Sequence, residues 1–184
     1  MIIETERLII RPWEEQDKDP LAVLHADPRV KRYFPSTLNR EESDDTYDRA
    51  QKAYGQNGYH FMATELEETG EFVGILGIGK FDDEMRSVVA SEPGVEIGWQ
   101  LMPKFWGKGL ATEGAIACLQ YGWENLNLPE IVSVTYEGNI PSQRVMERIG
   151  MTRDFDGDFE HPKVPTDHLL RPHVLYRIKN PNLL

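Results

Sequence analysis

At 184 residues, of which 40% are hydrophobic, the chain is long enough for one domain around a packed core, and we expect a single domain over residues 1–184. Its formal net charge of −11 at pH 7 argues against nucleic acid as a partner, because phosphate backbones are bound by clustered Lys and Arg. The lack of a long apolar run argues against a membrane span, and the single cysteine, Cys118, excludes an internal disulfide and fits a cytoplasmic protein.

Strand and helix signals alternate at the start of the chain. Residues 7–11 predict an opening strand that Pro12 ends, and residues 21–25 predict a short helix that begins at Pro20. Residues 40–54 are compatible with a helix, which we expect to be exposed because its composition is polar.

A hairpin and a further strand follow. Residues 59–64 and 71–78 predict two strands joined by a short loop that contains Gly70. Residues 82–94 are charged and rich in turn formers, which fits a loop between antiparallel neighbours, and the next strand begins at Val95.

The second half of the chain opens with a long helix after a glycine turn. Residues at helical spacing predict which face of this helix packs on the sheet. The expected buried face comprises Thr112, Ile116, Leu119, Trp123 and Leu126.

A strand and a capped helix come next. Residues 131–135 alternate as a strand, and Asn139 is a candidate N-cap for a helix with Pro141 in its first turn. Gly150 ends that helix, and the apolar Met151 after it fits the C-terminal glycine motif.

The last segment predicts a loop, a strand and a tail. Residues 154–168 are acidic and turn-rich, residues 173–178 predict a closing strand, and residues 180–182 predict a frayed end. Together these elements predict an α+β (mixed α/β) fold with a central, mostly antiparallel sheet flanked by helices.

The segment at residues 103–109 joins a strand to a helix and has the properties of an anion-binding turn. Gly107 and Gly109 allow φ > 0 or a close approach of the backbone, so that successive N–H groups can point at phosphate oxygens. Lys104 and Lys108 add positive charge beside the helix N-terminus. The alternative is a tight turn that needs glycine only for packing.

Two other phosphate-binding motifs do not match. A Walker A loop needs glycine where Met102 stands and Ser or Thr where Gly109 stands. The dinucleotide fingerprint lacks its third glycine at both candidate places, which are Asp82 and Thr112.

Three segments carry a resemblance to a known family. They are TERLIIRP at residues 5–12, the strand, turn and helix start at residues 96–114, and NIPSQRVMERIGM at residues 139–151. In this order and spacing they resemble the GCN5-related N-acetyltransferases (GNAT), in particular the branch that contains the ribosomal-protein alanine N-acetyltransferases. The resemblance implies a sheet that splays between its fourth and fifth strands, which are those at Glu96 and Ile131, and acetyl-coenzyme A as co-substrate.

The resemblance also implies roles for individual residues. Glu96 would be the general base, acting directly or through a water, and Ser142 would protonate the departing thiolate. The implied cofactor-binding residues are Leu101, Lys104, Trp106, Gly107, Lys108, Gly109, Leu110, Ala111, Thr112, Asn139 and Ser142. As alternatives, Glu96 is a sheet-face carboxylate paired with an Arg or with solvent, and Asn139 and Ser142 are only local helix caps.

The chain departs from the family pattern in two places. Lys104 stands where Gln or Arg is commoner, which keeps or adds charge without bidentate geometry. Residues 152–160 contain no Tyr to act as general acid, which shifts that role to Ser142 or leaves the thiolate to depart unaided.

The five histidines show no metal-binding spacing, so no metal is expected. His161, Asp167 and His168 are candidates for the acceptor cleft, with loop scaffolding as the alternative.

The leading hypothesis is acetyl transfer to a primary amine by direct attack in a ternary complex. A model α-amine has a pKa near ~8 and lysine one near ~10.4, so an α-amine is more often neutral at pH 7 and needs less help from a base. The acceptor would be a protein N-terminus or a small amine, the acidic surface would favour a cationic one, and the protein would be a monomer or homodimer. The alternative is a noncatalytic acyl-coenzyme A sensor or interaction module.

Overall fold

A computed structural model describes residues 1–183 and contains one eight-stranded sheet. The strands lie in the order β1-β2-β3-β4-β5-β6-β8-β7, and the β5–β6 pair is parallel while the other neighbouring pairs are antiparallel. Their bounds are Ile3–Glu4 (β1), Leu8–Arg11 (β2), Phe61–Leu66 (β3), Phe72–Lys80 (β4), Val95–Leu101 (β5), Glu130–Tyr136 (β6), Thr152–Glu160 (β7) and Pro172–Lys179 (β8). The predicted α+β fold with a mostly antiparallel sheet is confirmed.

Within these residues five α-helices flank the sheet, and the main core lies between the sheet and the helices α4 and α5. The helices are Lys18–Ala26 (α1), Arg40–Asn57 (α2), Asp83–Arg86 (α3), Leu110–Glu124 (α4) and Ile140–Arg148 (α5). Single 3-10 turns cover Glu15–Asp17, Pro103–Phe105 and Pro181–Leu183. No helix among residues 1–183 is long and apolar enough to cross a membrane.

The second helix is partly buried, although its composition predicts exposure. A capping box between Asn39 and Glu42 starts α2, and Gly58 ends it with φ of 77°. The face that carries Tyr47 and Ala50 is buried in a second cluster, where the Tyr47 ring meets the Trp13 ring edge-on with centroids 6.0 Å apart. Ser43, Tyr47 and Ala50, the buried residues of α2, therefore suffice to dock a helix that is otherwise polar.

The sheet opens between β5 and β6. Only one pair of residues, Glu96 and Val132, is in parallel register, and the Ser133 hydroxyl donates to the Ile97 carbonyl at 2.9 Å beside that pair. The predicted splay is confirmed, and these strands are fifth and sixth in the chain because the two-residue β1 precedes the predicted first strand. Beyond the splay, backbone groups of β5 face open space instead of a partner strand.

The buried face of α4 differs from the predicted one. Leu119 and Trp123 are buried as expected, but Ile116 is 42% exposed and Thr112 is only half-buried. The helix instead turns small residues towards the sheet, and a Cβ at Gly114 would lie 2.6 Å from Leu76 Cδ1. A prediction from the spacing of large apolar residues does not find a helix face that packs closely on the sheet because its residues are small. The residues buried in α4 are Leu110, Gly114, Ala115, Cys118, Leu119, Gly122 and Trp123.

Two predictions for the C-terminal region are wrong. The first part of the predicted loop at residues 154–168 is the edge strand β7, which pairs with β8 through a register shift between Asp154 and Phe159. Charged side chains are typical of exposed edge strands, so the acidic composition concealed a strand. In the predicted frayed tail, Asn180 is 1% exposed and donates through Nδ2 to the Leu128 carbonyl at 2.9 Å.

The close contact of β4 with β5 supports a stability prediction. A Cβ at Gly74, whose φ is 151°, would lie 2.2 Å from the Gln100 carbonyl oxygen, which is backbone and cannot move aside. We expect Gly74→Ala to lower the free energy of unfolding by about 3 kcal/mol or more. As the control, Gly55→Ala in the last turn of α2 meets nothing within 4 Å and is expected to add about 0.5–1 kcal/mol. Urea denaturation of both variants measures this, and equal stabilities would contradict it.

Candidate active site

The turn before α4 has the geometry of an anion site. Gly107 and Gly109 have φ of 72° and 80°, in the left-handed region, as predicted. Gly109 is the N-cap of α4, and no side chain caps the helix start. The first N–H groups of an α-helix have no partner within the helix, so those at the start of α4 are available to a ligand.

Residues of the N-terminal segment hydrogen-bond to this turn and to the start of α4. The Arg7 guanidinium donates through Nη1 to the Lys108 carbonyl at 3.0 Å and through Nε to Glu113 at 2.7 Å. The Thr5 hydroxyl donates to the same carboxylate at 2.6 Å. The motif at the chain start therefore anchors the turn to the first helical turn of α4.

Next to the turn lies a cavity of about 430 Å³, which we call the arginine cavity after four residues of its lining. These are Arg29, Arg32, Arg144 and Arg148, of which Arg29 is paired with Asp27, and neither Asp nor Glu lines this cavity. In a chain with 31 acidic and 20 basic residues, such a lining points to an anionic ligand. Combined with the free N–H groups of α4, it fits a ligand that carries phosphate groups.

The structure brings together most of the predicted cofactor residues but not the two lysines. The Lys104 ammonium pairs with Glu71, and Lys108 Nζ lies 5.4 Å from the centroid of the Phe105 ring. Neither lysine lines the arginine cavity. The predicted residues that do line it are Leu101, Trp106, Gly107, Gly109, Leu110, Ala111, Thr112, Asn139 and Ser142.

Sequence reasoning missed three of the four arginines. Arg29 and Arg32 lie in the turns after α1, where no motif marks them. From the sequence, Arg144 is a candidate phosphate contact, with a solvated role on the helix surface as the favoured alternative, and its i,i+4 neighbour Arg148 could have been found from the helical spacing on α5.

A second cavity of about 560 Å³, which we call the acceptor cleft, adjoins the arginine cavity. Six residues line both cavities, which are Tyr33, Phe34, Trp99, Gln100, Asn139 and Ser142. We call Trp99, Asn139 and Ser142 among them the seam. The cleft opens on the face of β5 that carries Glu96, on the side where β5 and β6 part.

Glu96 lies in the acceptor cleft, not in the arginine cavity. Among residues 1–183 its carboxyl group has no hydrogen-bond partner and no ion pair, so the predicted alternative of an arginine partner is not what the structure has. Burial raises the pKa of Glu96 to about 8, the Asp82 carboxylate adds to this, and the Lys163 ammonium opposes it. The ionised form of such a carboxyl group, about a tenth of the molecules at pH 7, can accept a proton from an amine.

The seam is built from the start of α5. The Asn139 side chain accepts from the Ser142 N–H at 3.3 Å, which confirms the predicted helix cap, and its Nδ2 donates to the Thr135 hydroxyl at 2.8 Å. The Ser142 hydroxyl has no hydrogen-bond partner in the described part of the chain. Capping therefore leaves this hydroxyl free to face a ligand at the seam.

Histidines and tyrosines complete the acceptor cleft. His161 lines it as predicted, together with His60 and His173, whereas Asp167 and His168 line neither cavity. Burial lowers the pKa of His161 to about 4, so this ring is neutral at pH 7. Tyr33 lines both cavities and was missed because it lies in an irregular segment. No group of side chains suited to a metal ion occurs within residues 1–183.

Comparisons with known proteins show the family to which the chain belongs. The family model described as an acetyltransferase (GNAT) domain matches residues 7–152. The N-acetyltransferase YnaD of Bacillus subtilis strain 168 is 33% identical over 154 residues, which are 84% of each chain. A GNAT-family acetyltransferase from Bacillus anthracis superposes with a TM-score of 0.79 at 29% identity, covering 98% of this chain and 99% of that one.

A more distant solved structure shares the fold. It is RimL, a ribosomal L7/L12 alpha-N-protein acetyltransferase in complex with coenzyme A, with a TM-score of 0.75 at 17% identity and coverage of 97% of this chain and 98% of that one. The family match spans most of the chain and includes the turn, the seam and Glu96. The chain therefore belongs to the GNAT acetyltransferase family and is an acetyl-coenzyme A-dependent acyltransferase.

Proposed function

We propose that the protein moves the acetyl group of acetyl-coenzyme A to a primary amine by direct attack in a ternary complex. The observation that carries this proposal is the pair of cavities that meet at Trp99, Asn139 and Ser142. One cavity is lined by arginines and suits a phosphate-bearing molecule, and the other contains a candidate base, Glu96. Two substrates can then be held at once with their reacting groups at the seam.

The arginine cavity would hold acetyl-coenzyme A, which supplies the acetyl group as a reactive thioester. The N–H groups at the start of α4 and the arginines of the lining would bind its phosphates. Unpaired backbone of β5 beyond the splay would bind the amide groups of the arm that leads to the sulfur. Lys104 and Lys108 would contribute only to the local positive potential, since Lys104 is paired with Glu71.

The chemistry at the seam needs two proton transfers. The amine nitrogen attacks the thioester carbonyl carbon, a C–N bond forms, and the C–S bond breaks. Glu96 takes the amine proton, directly or through a water, and the Ser142 hydroxyl gives a proton to the leaving sulfur and regains one from solvent. Because the pKa of Glu96 is about 8 and that of a model α-amine is near ~8, the first transfer is close to isoenergetic.

This match of pKa values favours an α-amine over a lysine side chain as the acceptor. A lysine amine with a pKa near ~10.4 holds its proton about a hundredfold more tightly than an α-amine. Proton transfer from lysine to Glu96 would therefore be uphill. The acceptor class we propose is an α-amine, from a protein N-terminus or from a small molecule.

The competing function is a noncatalytic acyl-coenzyme A sensor, and turnover separates the two. Thiol release from acetyl-coenzyme A is measured with peptides, amino acids, polyamines and aminoglycosides as acceptors. We expect Ser142→Ala to lower kcat about tenfold or more while the Kd for acetyl-coenzyme A changes little. Ser87→Ala, at the exposed end of α3, is the control and should match the wild type. Binding of acetyl-coenzyme A without release of thiol for any amine would establish the sensor instead.

A further inference from the structure

The acceptor cleft is more basic than the protein around it. Its charged lining comprises Lys31, Arg49, Lys163 and Glu96, which is three cations against one carboxyl group. Lys163 is paired with Asp82, so its charge is already compensated. The two remaining cations have no such partner, in a chain whose net charge is −11.

Lys31 is the unusual member of this set. It is only 7% exposed, and its Nζ donates to the neutral side chain of Gln100 at 3.0 Å and lies 4.6 Å from the centroid of the Phe34 ring. No carboxylate lies within ion-pair distance in residues 1–183. Burial lowers the pKa of Lys31 to about 8, so the group is still mostly charged at pH 7. A buried ammonium that neighbours no anion is costly, which points to a negative charge supplied from outside.

Arg49 reaches the same cleft from α2. Its guanidinium donates through Nη2 to the Thr46 hydroxyl at 3.0 Å, and it forms no ion pair within the described residues. It is exposed, so its contribution to anion binding is screened by solvent and smaller than that of Lys31. Arg49 and Lys31 therefore both add positive charge to the cleft.

Glu96 and Gln100, the residue that binds Lys31, lie on the same strand, β5. Gln100, which binds Lys31, and Glu96 are four residues apart on β5, so their side chains project from the same face and their Cα atoms are about 13 Å apart. Gly98 lies between them on this face, and the Phe61 ring packs over it, since a Cβ at Gly98 would lie 3.1 Å from Phe61 Cε1. Lys31 and Glu96 both line the cleft of about 560 Å³, so an elongated molecule that passes the Phe61 ring can contact both.

We propose that the acceptor is an amine that also carries a carboxylate, with the amine at Glu96 and the carboxylate at Lys31. This inference rests on the proposed acetyl transfer and narrows its substrate class. It replaces the expectation of a simple cationic acceptor, which was based on the surface charge and not on the charges inside the cleft. The carboxylate can belong to a free amino acid or to a peptide, and the two sources share the same recognition chemistry.

The test compares matched acids and amides as acceptors. Aspartate, glutamate and 2-aminoadipate are each compared with the primary amide of the side-chain carboxylate, and the peptide Ala-Asp amide is compared with Ala-Asn amide, so that the reacting group is an α-amine throughout. The free-acid arm and the peptide arm distinguish the two sources of carboxylate. We expect kcat/KM to be at least about tenfold higher for the acid than for its amide at one spacing or more.

Variants of Lys31 test whether this residue causes the preference for acids over amides. Lys31→Met is expected to bring the acid-to-amide ratio close to one, whereas Lys31→Arg, which keeps the charge, retains most of it. Lys80→Met removes an exposed lysine outside both cavities and should leave the ratio unchanged. Should Lys31→Met fold poorly, calorimetric binding of the N-acetylated acid and its amide to Lys31→Arg and to the wild type gives a readout without turnover.

The outcomes separate this inference from the function on which it rests. Amides acetylated as well as acids, or an acid preference that survives Lys31→Met, would overturn the inference while leaving acetyl transfer intact. Failure of every amine, neutral or anionic, to release thiol would overturn the proposed function and the inference with it.

Discussion

Replacing Glu96 with glutamine is expected to lower kcat/KM about a hundredfold and, at the same time, to stabilise the folded protein. Loss of a general base in acyl transfer typically costs a factor of about 10²–10⁴, and we expect the low end because an α-amine is partly neutral without help. The amide keeps the size of the side chain but cannot accept the amine proton. The remaining rate should lose the part of the rise near pH 8 that comes from titration of Glu96 and keep only the part that comes from titration of the α-amine itself.

The stability gain follows from the same pKa shift. Burial raises the pKa of Glu96 from 4.5 to about 8, so the folded state keeps a proton that the unfolded state has lost. The wild type therefore loses stability as pH rises from about 4.5 to 8, whereas Glu96→Gln does not. One pKa unit corresponds to about 1.4 kcal/mol, and after a discount for partial exposure we expect the variant to be about 2 kcal/mol more stable at pH 7.

Urea denaturation at pH 4.5, 7 and 8.5 measures this effect. The difference between variant and wild type should be smallest at the lowest pH and should level off above pH 8. Glu124→Gln at the exposed end of α4 is the matched control and should change neither stability nor rate. A stability difference that does not vary with pH, or an active Glu96→Gln enzyme, would remove Glu96 from the role of base.

The second large effect is expected at the turn before α4. Gly109→Val should weaken binding of acetyl-coenzyme A by about tenfold or more, because a β-branched residue strongly disfavours φ of 80°. A valine held at this φ would be strained by about 1–3 kcal/mol, and the turn can relieve this strain only by changing its backbone conformation. Either response turns the N–H groups at the start of α4 away from the ligand.

Gly58→Val separates this effect from simple strain. Gly58 ends α2 with φ of 77°, a Cβ there meets nothing within 4 Å, and it lines neither cavity. Both variants should therefore lose similar stability in thermal unfolding, while only Gly109→Val changes the Kd measured by calorimetry. Equal Kd values for Gly109→Val and the wild type would show that the turn does not hold the ligand.

Local signals were enough to predict most of the fold. The strands near residues 61, 72, 95, 130 and 172 follow from alternation and turn chemistry, and the caps of α5 follow from Asn139 and Gly150. Errors arose where packing depends on residues without apolar side chains. The face of α4 is set by Gly114 and Gly122, and β7 is an acidic edge strand.

The candidate site was only partly predictable for a similar reason. Gly107, Gly109 and Ser142 lie in motifs that are continuous in sequence, so spacing alone identifies them. The arginine cavity draws its charge from two segments more than a hundred residues apart, and no local pattern relates Arg29 to Arg148. Lys104 fits the local motif but forms an ion pair with Glu71, which is 33 positions away in the sequence and lies nearby only in the folded chain.

A crystal structure of the protein with coenzyme A bound tests the central claim most directly. We expect the phosphates to contact the arginines of the arginine cavity and the N–H groups at the start of α4, and the sulfur to lie within hydrogen-bond distance, about 3–3.5 Å, of the Ser142 hydroxyl at the seam. Coenzyme A bound outside the arginine cavity, or a sulfur that points away from the acceptor cleft, would contradict the account.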